Sequence, residues 1–312
     1  MTTETATERE PAPLPQIDRI AAAVDCYPEG DDAAVLATAI ARATGADLLL
    51  VTIEPELELM LPGANWRRMR RETERMLART RASFAPDARF SIDRDLSAAR
   101  GIKRVIGMAH RQLLVCGSGR RGRTGEVFMG PTTRQLLDRG RCAVAIAPRG
   151  LSEQAELKLR RIGVGFDGEA EARAALSMGA AMAAGCGAEL VVRGVVDDQI
   201  PALGWPNLWA KPFRDAWREA MADAVKSLRQ QIENATGGLP GHVSVEVKRD
   251  VPSASLCEFS DEVDLLVVGS RRWGPIARLL LGGTGEALVH GARCSLLIVP
   301  RQSPRTDLVT ER

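Results

Sequence analysis

Histidine, tyrosine and lysine are scarce in this chain of 312 residues: three His, one Tyr, and only five Lys among 42 basic side chains. The three His stand apart, and the six cysteines (Cys26, Cys116, Cys142, Cys186, Cys257 and Cys294) form no C-x-x-C pair, so zinc-ligand spacing is absent. Most of the thiols fall in apolar stretches and read as buried, reduced side chains. No run of about 18 apolar residues occurs, and residues 1–15 carry no apolar signal-peptide segment. Neither a membrane span nor an export signal is expected, and the chain reads as cytoplasmic. A net charge of +2 gives no strong global field for nucleic acid or membrane. The arginine-rich run at residues 67–81 is interrupted by Glu72 and Glu74 and has no aromatic platform, so it reads as a solvated helix face.

What is there suits a globular chain: 45% hydrophobic and 26% charged residues, and a length that fits two ordinary domains. The bias toward Arg and Ala points to a high-GC bacterial genome. The dominant feature is a repeated stretch. Residues 265–301 read LLVVGSRRWGPIARLLLGGTGEALVHGARCSLLIVPR, and residues 113–149 read LLVCGSGRRGRTGEVFMGPTTRQLLDRGRCAVAIAPR. Gly117 matches Gly269, Gly130 matches Gly282, Cys142 matches Cys294 and Pro148 matches Pro300, each pair 152 residues apart. One constant offset over four positions marks an internal duplication.

In chain order, residues 1–16 are polar with three prolines and read as a disordered leader. An apolar strand over Ile17–Val24 ends at Asp25. Residues Asp32–Thr44 have helical spacing stopped by Gly45, and the apolar Asp47–Ile53 suits a parallel strand covered on both faces. A long helix capped by Asn65 runs to about Phe84. Strand Arg89–Ile92, helix Leu96–Ala109, strand Gln112–Gly117, helix Thr132–Arg139 and strand Cys142–Ala147 complete a βαβαβαβαβ order. That order implies a parallel sheet with right-handed crossovers. After a linker at residues 150–158 the order repeats: Leu159–Phe166, Ala170–Ala184, Glu189–Val196, Phe213–Ile232, His242–Lys248, Pro252–Ser260, Leu265–Val268 and Leu296–Val299. Residues 302–312 form a polar tail. The second half adds a Pro-rich loop with Trp205 and Trp209, which packs on its surroundings or forms a lid.

Each half resembles a universal stress protein domain, and the whole resembles a tandem member of that family, of the actinobacterial type. The family signature is Gly, two residues, Gly, nine residues, Gly, then Ser or Thr, accompanied by an Asp ending the first strand. Asp25 and Asp167 match that Asp; Gly117 and Gly269 open the two signatures, and Gly130 and Gly282 close them. The resemblance covers residues 17–149 and 159–301. It implies an α/β fold of two tandem Rossmann-like (adenine nucleotide alpha hydrolase-like) domains. Each would be a five-stranded parallel sheet of order 3-2-1-4-5 flanked by helices. A ligand then belongs at the switch point between strands one and four, beside Asp25 and Gly117 or Asp167 and Gly269. The fifth strand of each half is a sheet edge that needs a partner. In the family these edges pair, so the two halves are expected to join through Cys142–Ala147 and Cys294–Val299, with a homodimer of whole chains as a further option.

In ATP-binding members the final Gly and the following hydroxyl residue hold phosphates, and the Asp lies on the adenine side. That makes Asp167, Gly269, Ser270, Arg272, Gly282, Gly283 and Thr284 the candidate set in the second half, and Asp25, Gly117, Gly130 and Thr132 the set in the first, for ATP with Mg2+. Glycine after the fourth strand is expected to supply a positive φ and close approach of a phosphate. Both motifs depart from the pattern. The second signature Gly is Arg120 in one half and Arg272 in the other. The hydroxyl position is Pro131 in the first half, which has no N–H to donate, and Gly283 in the second, with Thr284 one residue late. Arg120, Arg121, Arg271 and Arg272 either replace the lost Gly with charge or stand in solvent. The second half is therefore the preferred site. The G-x-G-x-x-G match at Gly117–Gly122 follows the fourth strand rather than the first and is not a dinucleotide fingerprint. Neither Asp has a paired carboxylate or Ser-His-Asp spacing, so a binding module is preferred over a slow ATPase. The alternative is an interaction protein with degenerate pockets that acts through partner surfaces.

Overall fold

The structure, a computed structural model, describes residues 14–56, 66–108, 113–137, 142–154, 156–199, 211–270 and 283–300. In the first half, β1 (Arg19–Ala23), α1 (Pro28–Thr44), β2 (Asp47–Pro55), α2 (Trp66–Phe84), β3 (Arg89–Asp95), α3 (Ala98–Met108), β4 (Leu113–Gly117), α4 (Pro131–Leu137) and β5 (Ala143–Ala147) follow in order. The second half repeats them as β6 (Arg161–Phe166), α5 (Ala170–Cys186), β7 (Glu189–Val196), α6 (Lys211–Thr236), β8 (Val243–Arg249), α7 (Pro252–Phe259), β9 (Leu265–Gly269), α8 (Gly283–Leu288) and β10 (Ser295–Val299). The Trp205–Trp209 loop and the tail lie outside the described residues. The leader ends earlier than its polarity suggests: Leu14 packs on the core and Ile17 is buried.

Local signals explain the boundaries. Gly45 and Gly187 end α1 and α5 in the left-handed conformation (φ 71° and 68°), and each donates its N–H back into the last turn, to Ala41 and Ala183. Helix α1 starts four residues before the expected Asp32, because Pro28 occupies its first turn, where its missing N–H is no loss. The polar Glu29, Gly30 and Asp31 hide that turn from a search for apolar spacing.

The ten strands among the described residues form one sheet of order β3-β2-β1-β4-β5-β10-β9-β6-β7-β8. Each half has the order 3-2-1-4-5 and is parallel throughout. The halves meet where β5 and β10 pair antiparallel, with Leu296 opposite Ile146, Leu297 opposite Ala145 and Ile298 opposite Val144. Because strand side chains alternate between faces, two apolar layers result, and each runs through both halves. One lies beneath α1, α2, α5 and α6 and contains Ala145, Leu297, Val115 and Val267. The other lies beneath α3, α4, α7 and α8 and contains Val144, Ile146, Leu296 and Ile298. The packing units are thus the two faces of the sheet rather than the two sequence repeats.

Two further contacts weld the halves. Helices α1 and α5 cross so closely that a β-carbon on Gly185 would lie 1.8 Å from the Ala43 carbonyl oxygen. The linker is folded as well: Gly150 takes a positive φ of 81°, and Leu151–Glu153 form a single 3-10 turn. The fully buried Asp32 accepts from Gly150 N at 2.9 Å and from Ser152 N and Oγ at 2.7 Å. Asp32→Ala should therefore cost about 1–3 kcal/mol in urea unfolding, since it strands two linker amides. A change within about 0.5 kcal/mol, the range of an ordinary surface substitution, would show that the linker is not held this way.

Candidate functional site

Parallel strands leave crevices at their carboxyl ends where the chain order reverses, and both halves have one. In the second half a cavity of about 520 Å³ opens between β6 and β9 and extends to β7. It brings together Asp167, Gly269, Gly283 and Thr284 from the expected set. Arg272 and Gly282 lie outside the described residues, as does Arg271. Ser270 is beside the site but does not line it. Its N–H donates to the Val299 carbonyl at 2.9 Å, and its hydroxyl is buried without a partner among the described residues. The repeat explains its role. Ser118 occupies the same position in the first half, donates to the Ala147 carbonyl at 2.7 Å and accepts the Phe128 N–H at 3.2 Å, which pins the glycine loop.

The two strand-end glycines do a different job from the expected one. Neither Gly117 nor Gly269 is among the glycines with positive φ. A β-carbon on Gly117 would lie 2.0 Å from the Glu29 carbonyl oxygen, and one on Gly269 2.5 Å from the Glu171 carbonyl carbon. Glycine is required there because the first turn of α1 or α5 presses on the strand end. The two aspartates serve turns: Asp25 accepts the Tyr27 N–H and Asp167 the Glu169 N–H, both at 3.1 Å. Burial pushes the Asp25 carboxyl above its usual range, against the opposing pull of the Tyr27 N–H.

The first-half cavity is smaller, about 280 Å³, and brings together Asp25, Gly117, Gly130 and Thr132. Pro131 opens α4 beside it, so the first residue of that helix offers no N–H. The Arg120 guanidinium lies 4.2 Å from the centre of the Tyr27 ring. Arg149 donates to the carbonyls of Arg120 and Gly122 at 3.0 and 2.9 Å and stands 3.6 Å from Glu29. The end of this glycine loop is bound to the other half. Val127 N donates to the Ala292 carbonyl at 2.7 Å and Met129 N to the Val289 carbonyl at 2.8 Å, while Arg134 pairs with Glu286 at 2.9 Å.

Sequence reasoning missed Arg193, which lines the second cavity at 1% exposure. A single Arg in an apolar strand carries no motif, and only its position opposite Glu246 on β8 could have marked it. The cysteines divide: Cys116 and Cys294 are buried, and burial pushes both thiols up to about 12, whereas Cys142 and Cys257 are half-buried and Cys26 and Cys186 are exposed, so fewer thiols are buried than expected. Among the described residues no group of three His, Cys, Asp or Glu could hold a metal ion, and no helix is long and apolar enough to cross a membrane.

A model of the universal stress protein family matches residues 16–148 and again residues 158–300. A universal stress protein of Mycobacterium bovis is 32% identical over 141 residues, 44% of this chain and 46% of that protein. One of Mycobacterium tuberculosis is 26% identical over 191 residues, 61% of this chain and 62% of that protein. The matched segment thus spans about half the length of these curated relatives. Among solved structures, a universal stress protein of Archaeoglobus fulgidus aligns with 92% of this chain and 100% of its own, at a TM-score of 0.66 and 14% identity. A functionally unknown protein of Pseudomonas aeruginosa aligns with 92% of this chain and 94% of its own, at 0.59 and 15%. Likeness at such identities speaks to the fold.

The steric account of Gly269 separates it from Gly283, whose β-carbon would meet nothing within 4 Å. Gly269→Ala should destabilise by about 1–3 kcal/mol through overpacking against α5. Gly283→Ala should stay within about 0.5 kcal/mol of the parent in the same urea titration. Equal effects would remove the packing role assigned to Gly269.

Proposed function

The chain belongs to the universal stress protein family, and from that premise we propose that it is a stress-response binding module whose second half holds an adenine nucleotide, ATP. The observation that carries this reading is the difference between the two cavities. At about 520 Å³ the second lies well within the range of small-molecule sites, about 300–1,000 Å³, whereas the first, at about 280 Å³, is about half its size and at the lower end of that range. The first-half loop is also committed to the contact with the second half, through Val127 and Met129.

The second cavity has the parts a nucleotide needs. Gly283 and Thr284 at the start of α8 supply open backbone and a hydroxyl for phosphate oxygens, and Asp167 lines the same cavity just after β6. Phe166, Val195, Leu256 and Val268 provide apolar surface for a ring. Asp167, Glu169 and Asp197 also line the cavity and would repel a bare triphosphate. Mg2+ would enter with the nucleotide and offset that repulsion. We read the site as one for binding rather than turnover, so the bound nucleotide acts as a signal or store. In the first half, Pro131 and the stacked Arg120 favour the other reading, a pocket that has become part of an interaction surface.

Calorimetry of nucleotide-stripped protein with Mg-ATP tests the assignment. Loss of a hydroxyl to a charged phosphate, about 1.5–3 kcal/mol, should make Thr284→Ala bind at least about tenfold more weakly. Thr132→Ala should leave the affinity unchanged. Absence of binding at millimolar ATP, or a larger loss in Thr132→Ala than in Thr284→Ala, would refute the placement.

A further inference from the structure

Helix α2 carries charge out of proportion to its part in the core. Of its 19 residues only Leu77 and Thr80 are buried, yet it holds seven Arg against two Glu. Both glutamates are taken. Glu72 pairs with Arg68 at 3.0 Å and Glu74 with Arg70 at 3.2 Å, and Arg70 also stands 3.6 Å from Glu54. Arg67, Arg71, Arg75 and Arg79 remain. All four are exposed, and none has an ion-pair partner among the described residues. They recur at every fourth residue, which lays them along the helix in one stripe about 18 Å long.

Like charges at this spacing weaken a helix, so the stripe works against the element that carries it. The fold does not call for it. Helix α6 fills the same place in the second half, between β7 and β8, with five basic and four acidic side chains. There Arg218 stands 3.6 Å from Asp215 and Lys226 3.8 Å from Asp223. A net charge of +2 over the whole chain conceals the local excess on α2.

The arginine run also has an aromatic surface, half of it supplied by another element and therefore not visible in the run itself. Trp66 opens α2 at 45% exposure, with Arg67 at 5.2 Å and Arg94 of β3 at 5.4 Å from its ring centre. Phe90 of β3 is 39% exposed, with Arg81 of α2 at 5.7 Å. Four residues separate Phe90 from Arg94, about 13 Å along the strand. Since β3 is an outer strand of the sheet, no further strand among the described residues covers this side.

These features define the chemistry of a partner. A stripe of unpaired arginines suits a regular polyanion. A bilayer surface needs apolar side chains among the basic ones, whereas the outer face of α2 sets only Ala78 and Ala82 beside Arg71, Arg75 and Arg79. An acidic polypeptide makes no use of exposed rings, and a duplex keeps its base faces stacked inside. A single strand of nucleic acid uses both features, its phosphates on arginine and its bases on aromatic rings.

We propose that α2 and β3 form a binding surface for single-stranded nucleic acid, with phosphates along Arg67, Arg71, Arg75 and Arg79 and bases stacked at Trp66 and Phe90. Five strands lie between β3 and β9, so this surface is separate from the second-half cavity and does not depend on what that cavity holds.

The test is fluorescence anisotropy of a labelled oligothymidylate of about 16 nucleotides, titrated with the full chain over a series of salt concentrations. The logarithm of the affinity should fall against the logarithm of the salt concentration with a slope of about −3, near −0.7 for each of the four arginines. Arg71→Gln with Arg75→Gln, both at exposed positions, should reduce the magnitude of that slope by about 1.4. Trp66→Ala should weaken binding at least about fivefold and leave the slope as it is. The wild-type series stands whether or not a variant folds. Absence of binding at low salt would overturn the proposal, as would a slope unchanged in the folded double variant. So would a duplex of the same length, poly-glutamate, or vesicles of equal parts phosphatidylserine and phosphatidylcholine that compete as well as the single strand. None of these results would touch the nucleotide site, which Mg-ATP calorimetry tests by itself.

Discussion

Strands β5 and β10 each need a second neighbour, and each is the other's. Ala143–Ala147 and Ser295–Val299 are buried along their whole length, so neither could serve as a solvent-facing edge. Their antiparallel pairing turns two five-stranded sheets into one and moves the free edges out to β3 and β8. Those outer strands carry the charges that guard an edge: Arg89, Asp93 and Arg94 on β3, and Lys248 and Arg249 on β8. The same joint makes each apolar layer continuous across the repeat, brings α1 against α5 at Gly185, and lays the first glycine loop on the end of α8. A cut between the sequence repeats would therefore pass through both layers.

That joint has a consequence for the sites. Helix α8 contributes Gly283 and Thr284 to the second cavity at one end, and at the other Val289 and Ala292 follow it as acceptors for the first-half loop. One half supports the site of the other. The duplication then diverged in the walls: Arg193 for Val51, Gly165 for Ala23, and Gly283 where the first half has Pro131. Gly165 makes room for the Arg193 side chain, and Gly283 carries a backbone N–H that Pro131 lacks.

The fold was largely legible because parallel strands buried on both faces are short apolar runs, and Gly45 stops a helix by chemistry that shows in one letter. The repeat offset did the rest, since it pairs Gly117 with Gly269 without any structure. What stayed hidden depends on partners distant in sequence. Gly117 and Gly269 look like phosphate-turn glycines, but their reason is the carbonyl group of Glu29 or Glu171 pressed on the strand end. Ser270 looks like a ligand residue, but its repeat partner shows a hydroxyl that pins a loop. Arg193 gives no local sign of burial, because two acids on β8 and after α7 neutralise it. The turn from Pro28 to Asp31 is polar and belongs to a helix that only Pro28 announces.

The central claim is that a duplicated fold carries one ligand-sized site, in its second half. The most direct measurement is the number of nucleotides per chain, by acid denaturation and mass spectrometry of protein equilibrated with excess Mg-ATP and freed of unbound ligand. The account predicts one adenine nucleotide per chain. Two per chain would show that Pro131 and the smaller first cavity do not prevent binding, and none would show that the second cavity is not a nucleotide site; either result contradicts the account.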